Sequence, residues 1–572
     1  MAPRTFARAL IPARGRALSA RQLSLLPVAL GAFLALLIAG PWLASGYIFG
    51  TDWPGPRNFA FPSEISSSYL LQALLAAVSR VIGGEATGKV FVLGILFVAA
   101  LTAYRAVPVD GFVARAAGAG IYVLNPFVYG RLHYGQLFVL AGYAILPWVA
   151  LRLRRLLLEP RVATALVSAV SLVLLGIFSL HLFLMAAVLA GALLLTHTVA
   201  SKERFAYGRR LAPALLLTVG VTLAASAYWV LPLLKGTGTE GATLAGIGSG
   251  DLAAYAAVPD PQLGLLPNLL GLYGFWAEDV GRFTSMKAFV PLWPVGLAVL
   301  MLVAAVGAVA AFRQRRDRLA PWVAGLLIAA LIALILEAGV SQPVTSGLVG
   351  WLDANLPLYR GMRDAGKWGA LLALVYSQLF ALGAASILGW IRERKGTART
   401  ELLVAIVAGL VLAFPLYYGN GLPYGMQGEI VPSQYPQGWY TVDQVLAADS
   451  HPGRILFLPW HEYMALSFVR NDNRVVAPPA PSFFSTPVLV SADPEVAGIA
   501  PPTDPEQTAI SDLVTAGNQG LWAQVLAAHK IKYILLAREV DWSSYGYLDS
   551  QPGLVRVGDY GSIVLYRNRL LG

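Results

Sequence analysis

Residues 288–340 read AFVPLWPVGLAVLMLVAAVGAVAAFRQRRDRLAPWVAGLLIAALIALILEAGV. Two apolar runs, 288–312 and 319–340, flank a short connection that holds Arg313, Arg315, Arg316 and Arg318. A helix that crosses a bilayer needs about 20 mostly apolar residues, and cytosolic loops collect Lys and Arg. The stretch reads as a transmembrane hairpin with its turn in the cytosol. Nine further windows follow the same rule: 23–48, 88–106, 113–130, 134–151, 162–179, 182–200, 211–234, 368–391 and 400–418. The whole chain agrees, with 57% hydrophobic and 13% charged residues, against about 25% charged in soluble domains. The fold class expected is an α-helical polytopic membrane protein of about eleven transmembrane helices. The run 65–83 is shorter and carries Arg80, so it reads as a helix lying at the membrane surface.

The arginines give the orientation. Arg4, Arg8, Arg14, Arg16 and Arg21 precede the first span, and alternate connections repeat the pattern seen after 312. One side collects 23 Lys and Arg and the other ten. The N-terminus is therefore expected inside and the C-terminus outside. The basic segment 1–22 followed by a long apolar run resembles a signal peptide, but the run is too long and lacks a clear A-x-A cleavage pattern. It reads as a retained signal anchor, with 23–419 as the membrane domain.

From about residue 420 the composition changes. Residues 420–572 hold nine Lys and Arg against fourteen Asp and Glu, a net of −5, within a chain of net +11. The basic excess is a topogenic signal with some attraction to anionic lipid, and nucleic acid is not an expected partner. Strand-like runs at 454–460, 532–537 and 563–567 alternate with helical patches near 439–448 and 508–528. A small extracytoplasmic α/β domain is expected there.

Chemistry is narrowed first by what is missing. There is no cysteine, which removes thiolate nucleophiles, disulfides and cysteine zinc sites. No dinucleotide fingerprint, Walker motif, HExxH or GxSxG elbow occurs. Polar groups near a span are costly and mark functional sites by default. On the expected outer face they gather: Asp52 in Gly50-Thr51-Asp52-Trp53-Pro54, then Arg131, His133 and Gln136, then His181, Glu337, and the loop from Pro357 to Trp368 with Arg360, Arg363 and Lys367. Each has an ordinary reading too. An Asp before Trp-Pro is a common turn former; the three cations share one face if helical, which suits a phosphate clamp and equally suits snorkelling. Taken together, one acid and several cations suit transfer from a membrane-anchored phosphate donor. Asp52 would be the base that deprotonates an acceptor hydroxyl. Arg360, Arg363 and Lys367, with Arg131, would bind the departing phosphate. His133, His181 and Glu337 would be positioning groups. Aromatics of the tail, Trp439, Trp460 and Tyr463 among them, would bind the acceptor or else form ordinary domain core. No Asp-x-Asp lies near Asp52, so no metal is expected, nor any cofactor.

This arrangement resembles the GT-C superfamily of membrane glycosyltransferases. Gly50-Thr51-Asp52-Trp53-Pro54 matches the position of their catalytic acid. Leu124 to Tyr129, Gly135-Gln136, Leu146-Pro147-Trp148 and Tyr228 to Pro232 are similar to segments of the arabinofuranosyltransferase branch, as are Pro357 to Trp368, His529 to Leu536 and Ile563 to Arg567. The resemblance implies transfer of a sugar, arabinofuranose by the branch, from polyprenyl phosphate to a cell-wall or lipid-linked glycan at the outer face of the plasma membrane, with membrane lipid and a glycan acceptor as partners. The Ala-, Arg- and Gly-rich composition suits an actinobacterium. About 150 residues follow the last span, where some relatives carry long carbohydrate-binding tails. The paired acids of metal-dependent oligosaccharyltransferases are absent from the first loop. A transporter or flippase of a lipid-linked sugar, or a cell-envelope assembly scaffold, is the alternative. A transporter would show related halves and helices broken at mid-membrane, and a scaffold would leave Asp52 expendable.

Overall fold

A computed structural model describes residues 20–248, 250–281, 283–313, 319–393, 398–496 and 499–571. Residues 1–19 and the loop cations Arg282, Arg315, Arg316, Arg318, Arg394 and Lys395 lie outside the described residues. Nine described helices are long and apolar enough to cross a membrane: Leu25–Leu43, Gly84–Ala106, Leu137–Leu158, Leu180–Ala200, Arg204–Leu234, Trp293–Arg313, Ala320–Ser341, Ala365–Glu393 and Ala398–Gln427.

Nine of the eleven expected windows coincide with these helices and two differ. Window 162–179 forms Val162–Phe178, 17 residues, at the short end of spanning length. Window 113–130 breaks into Phe112–Val123 and Pro126–Tyr134. Pro126 has no N–H to donate and its ring clashes with the carbonyl four residues back. Asn125 therefore leaves the helix in an extended conformation, and its side-chain oxygen caps the next helix by accepting from the Val128 N–H at 3.0 Å. The run 65–83 contains the helix Tyr69–Ile82, too short to span.

The helices sort by environment. Arg204–Leu234 exposes Leu216, Val219 and Leu223 along one side, the face an outer helix offers to acyl chains. Gly369–Glu393 is buried continuously from Gly369 to Ala384 and forms the centre. Small residues let backbones meet there: a Cβ on Gly118 would lie 2.8 Å from the Ser377 carbonyl, and the Ser377 hydroxyl donates to the Gly118 carbonyl at 2.8 Å. Such close, hydrogen-bonded crossings replace the hydrophobic drive that lipid cannot supply.

The tail folds as a five-stranded sheet in the order Val488–Leu489, Arg454–Leu458, Ile531–Ala537, Ile563–Asn568, Leu554–Asp559. The first three strands are parallel and the last two pairings antiparallel. Side chains alternate across a strand, so Ile455, Phe457, Tyr533, Leu535 and Leu565 meet the helix Gln437–Ala447 on one face. Leu456, Leu458, Ile534, Leu536 and Val564 meet Pro505–Ala516 and Trp522–Ala528 on the other.

The tail grips the loop after the first span. Tyr47 and Ser433 exchange backbone hydrogen bonds of 2.8 and 2.9 Å. Asn471 donates to the Phe49 carbonyl at 2.8 Å, and the Ala477 N–H to the Thr51 carbonyl at 2.9 Å. Phe49 itself is a member of the tail's hydrophobic core.

Candidate active site

Asp52 sits in the two-residue connection of a minimal hairpin in which Phe49–Gly50 pairs with Trp53–Pro54. Its N–H donates to the Tyr134 carbonyl at 2.7 Å, which fixes the hairpin to the end of the helix Pro126–Tyr134. The approach is close because both partners are glycine. A Cβ on Gly50 would lie 2.8 Å from Gly135 Cα, and Gly135, at φ +82, ends that helix in the left-handed region.

Both carboxylate oxygens of Asp52 accept hydrogen bonds. Gln136 Nε2 donates to Oδ2 at 3.1 Å, and the Tyr463 hydroxyl of the tail donates to Oδ1 at 3.0 Å. Burial raises the Asp52 carboxyl above its ordinary pKa; these two bonds and Lys367 pull it part of the way back. Burial also raises Tyr463, as does the neighbouring Asp52 charge, so the phenol stays a donor.

Asp52 opens into a cavity of about 120 Å³ lined by Tyr134, Gln136, Tyr255, Trp276, Arg363, Asp364, Lys367, Tyr463, Pro494 and Val496. A second cavity of about 380 Å³ is lined by Phe138, Val139, Phe178, Leu180, Leu184, Leu233 and Leu244, with Ser66–Ser68, Gln72 and His181 among its polar residues. Arg363 and Lys367 line both. Two cations thus stand where an apolar chamber meets a polar one.

The turn carrying them is shaped by two ion pairs. Arg363 pairs with the buried Asp251 and lies over the Tyr255 ring at 4.8 Å. Asp364 pairs with Arg131 through both oxygens, Oδ1 at 3.2 Å. Burial opposes ionisation of Asp364, but Arg131 and Lys367 outweigh it and hold the carboxyl below its ordinary value. Asp364, though in the cavity, is committed to Arg131, whereas Asp52 takes its hydrogen bonds from neutral donors.

The other expected residues fall in different places. Arg131 is buried against Asp364 and lines neither cavity, because the ion pair consumes its guanidinium. Arg360 lines neither; its Nε donates to the Asp353 carbonyl at 3.2 Å. His181 lines the apolar cavity, where its Nε2 lies 3.0 Å from Lys367 Nζ and 2.9 Å from the Gly361 carbonyl. A single ring nitrogen serves one of these at a time, accepting from the lysine or donating to the carbonyl. His133 points away from Asp52, towards Glu429 at 3.5 Å and edge-on to Phe283. Glu337 is buried, its Oε2 without a hydrogen-bond partner among the described residues, and it lines neither cavity. Of the aromatics, Tyr463 reaches Asp52, while Trp439 stacks on Phe484 inside one core of the tail and Trp460 lies in the other. Those two belong to the domain core, as aromatic side chains that bury large areas commonly do. Tyr255, Trp276, Asp251 and Asp364 escape a reading of the sequence. Tyr255, Trp276 and Asp251 come from the connection after Arg204–Leu234, which has no periodicity to expose them. Among the described residues no cluster of His, Asp and Glu is arranged to hold a metal ion.

In overall architecture the chain is similar to the cryo-EM structure of arabinofuranosyltransferase AftD from Mycobacteria, with a TM-score of 0.61 over 96% of this chain at 17% identity. The likeness is one of fold and extends over nearly the whole chain. A structure of a point variant of AftD gives a TM-score of 0.58 at 18% identity, again over 96% of the chain. The matched region is 40% and 42% of those chains, so this protein spans less than half the length of the structures it resembles. No family model and no curated protein sequence matches the chain.

Proposed function

We propose that the protein is a glycosyltransferase that moves a sugar from a polyprenyl-phosphate donor to a hydroxyl of a cell-wall or lipid-linked glycan at the extracytoplasmic face of the plasma membrane. Arabinofuranose is the sugar that the likeness to AftD favours. The observation that carries the reading is the pair of cavities sharing Arg363 and Lys367, with Asp52 in the polar one. A donor of this class has an apolar chain, a phosphate and a sugar in series. The apolar chamber, the two cations and the Asp52 chamber occur in the same series.

In the reaction Asp52 takes the proton of the acceptor hydroxyl as its oxygen bonds to the anomeric carbon. The bond from that carbon to the phosphate oxygen breaks, and the electron pair leaves with polyprenyl phosphate. Arg363 and Lys367 stabilise the charge that develops there, in surroundings of low dielectric where fixed cations act strongly. Arg131 supports the site from behind, and Tyr463 brings the tail to it.

The test supplies purified protein with labelled decaprenyl-phosphoryl arabinofuranose and an arabinan acceptor, beside Asp52→Asn and Lys367→Met. Loss of a general base costs about 10²–10⁴ in rate, so Asp52→Asn is expected to transfer at least a hundredfold more slowly. Lys367→Met is expected to weaken donor use. Undiminished transfer by Asp52→Asn would remove Asp52 from the role of base.

A further inference from the structure

A continuous run of side chains joins the proposed base to the turn that carries the two cations. Asp52 Oδ2 accepts from Gln136 Nε2 at 3.1 Å, Gln136 Oε1 accepts from Arg131 at 2.7 Å, and the same guanidinium holds both oxygens of Asp364. The Asp364 carbonyl in turn accepts the Lys367 N–H at 3.2 Å. Resting on the reading of Asp52 as base, we propose that Arg131 is a positioning residue that orients the Gln136 amide towards Asp52 and registers the Lys367 turn against it.

The chemistry of the donors gives this direction. A carboxamide has an oxygen that accepts and a nitrogen that donates, and the two ends are nearly alike in shape. Guanidinium only donates. With Arg131 on one side, the Gln136 oxygen must face it, and the NH2 group must face Asp52. Without Arg131 only Asp52 would orient the amide, and a protonated Asp52, which can donate as well as accept, would take either end of it.

Arg131 is itself held rigidly. Its guanidinium lies 4.5 Å from the Phe275 ring centroid and 5.4 Å from that of Phe127. A Cβ on Gly366 would come within 3.0 Å of its Nη2, so glycine there is what lets the turn close over it. The sequence separation of 233 residues between Arg131 and Asp364 makes the pair a tertiary tie. Asp52 is also faced by Tyr134 from the helix Pro126–Tyr134, Tyr463 from the tail, Tyr255 from the loop beyond the seventh window, and Arg363, Asp364 and Lys367 from the turn. The Gln136 bond is one of the influences that favour its ionised form.

The experiment reads Asp52 directly, through pH-dependent difference infrared spectra of the full chain in nanodiscs. The carboxylic C=O band that Asp52→Asn removes reports its protonation. Gln136→Leu is expected to move the midpoint of that band to higher pH. Asp364 itself raises Asp52, so the double variant Arg131→Gln with Asp364→Asn, which keeps the buried charge balanced so that the fold survives, serves as a background: adding Gln136→Leu to it is expected to move the midpoint much less than the same change moves wild type. Arg131→Lys, still a pure donor, is expected to keep the midpoint at the wild-type position. Where transfer is measurable, the double variant should lower kcat about a hundredfold, the scale of a small misplacement of reacting groups, with KM for donor little changed. An undiminished Gln136→Leu shift in the double-variant background overturns the proposal, as does an Arg131→Lys midpoint shifted as far as that of Gln136→Leu. Because the band is read without turnover, these outcomes stand apart from whether the protein transfers sugar.

Discussion

In the role of base proposed for it, Asp52 would tie function and stability together with opposite signs. Burial raises its pKa in the folded protein above the unfolded value, so the native state favours the protonated form. The stabilising contribution is full at pH below the unfolded value and is lost as pH rises through the folded one. Catalysis by a base needs the ionised form that stability disfavours. The acid limb of a pH–rate profile should therefore lie above the ordinary aspartate range, and rates should fall as pH drops through it. Asp52→Asn should unfold at a higher temperature than wild type at pH 7 while failing to transfer. The amide fits with its oxygen on Gln136 and its nitrogen on the Tyr463 hydroxyl, which can turn to accept. A melting curve in detergent at pH 5 and pH 8 checks the sign: the advantage of the variant should shrink at the lower pH. An advantage that grew there would contradict the raised carboxyl.

At the scale of elements, the hairpin of Asp52 depends on two glycines that bring it against the helix Pro126–Tyr134. Gly135→Ala forces a side chain into the left-handed region, costing about 1–2 kcal/mol, and sets a Cβ 2.7 Å from that of Trp53. Gly428 offers the control, since it also lies in the left-handed region, at φ +88, yet has nothing within 4 Å of a Cβ. Gly428→Ala should lower the melting temperature modestly and leave transfer intact, whereas Gly135→Ala should lower both. Equal effects would mean that backbone conformation alone matters there. The same region shows what can be read from a sequence. Lipid enforces long apolar runs, so nine spans are legible, and Asn125-Pro126 carries the chemistry of the break that splits window 113–130. Strands near 454, 532 and 563 were visible because they are short apolar runs in a polar tail. The pairing of Arg131 with Asp364 was not, because a charge shows its partner only when two distant elements meet. Trp439 and Tyr463 are alike in composition, yet one lies in a core and the other on Asp52.

For the whole molecule, the composition changes near residue 420, yet the packing runs across that point. Phe49, three residues before Asp52, is fully buried in the tail's core, edge-on to Tyr435 at 5.5 Å and to Phe468 at 5.9 Å. Arg57 reaches Asp443 at 2.8 Å and lies over Phe483 at 4.6 Å. The tail and the loop therefore share one core, and the tail that joins it also brings the Tyr463 hydroxyl to Asp52. Phe49→Ala removes a buried ring, a change that typically costs about 3–5 kcal/mol, and the loss falls on the joint between the two parts. The expected outcome is selective: the spans stay folded, while limited proteolysis cuts between residues 420 and 436 in the variant faster than in wild type. Transfer should fall with docking, and Tyr463→Phe, which keeps the core but removes the hydroxyl, should impair transfer without exposing the cleavage site. Protease resistance at the wild-type level in Phe49→Ala would mean that the tail is held to the membrane part by its other contacts, and that the shared core does not control access of Tyr463 to Asp52.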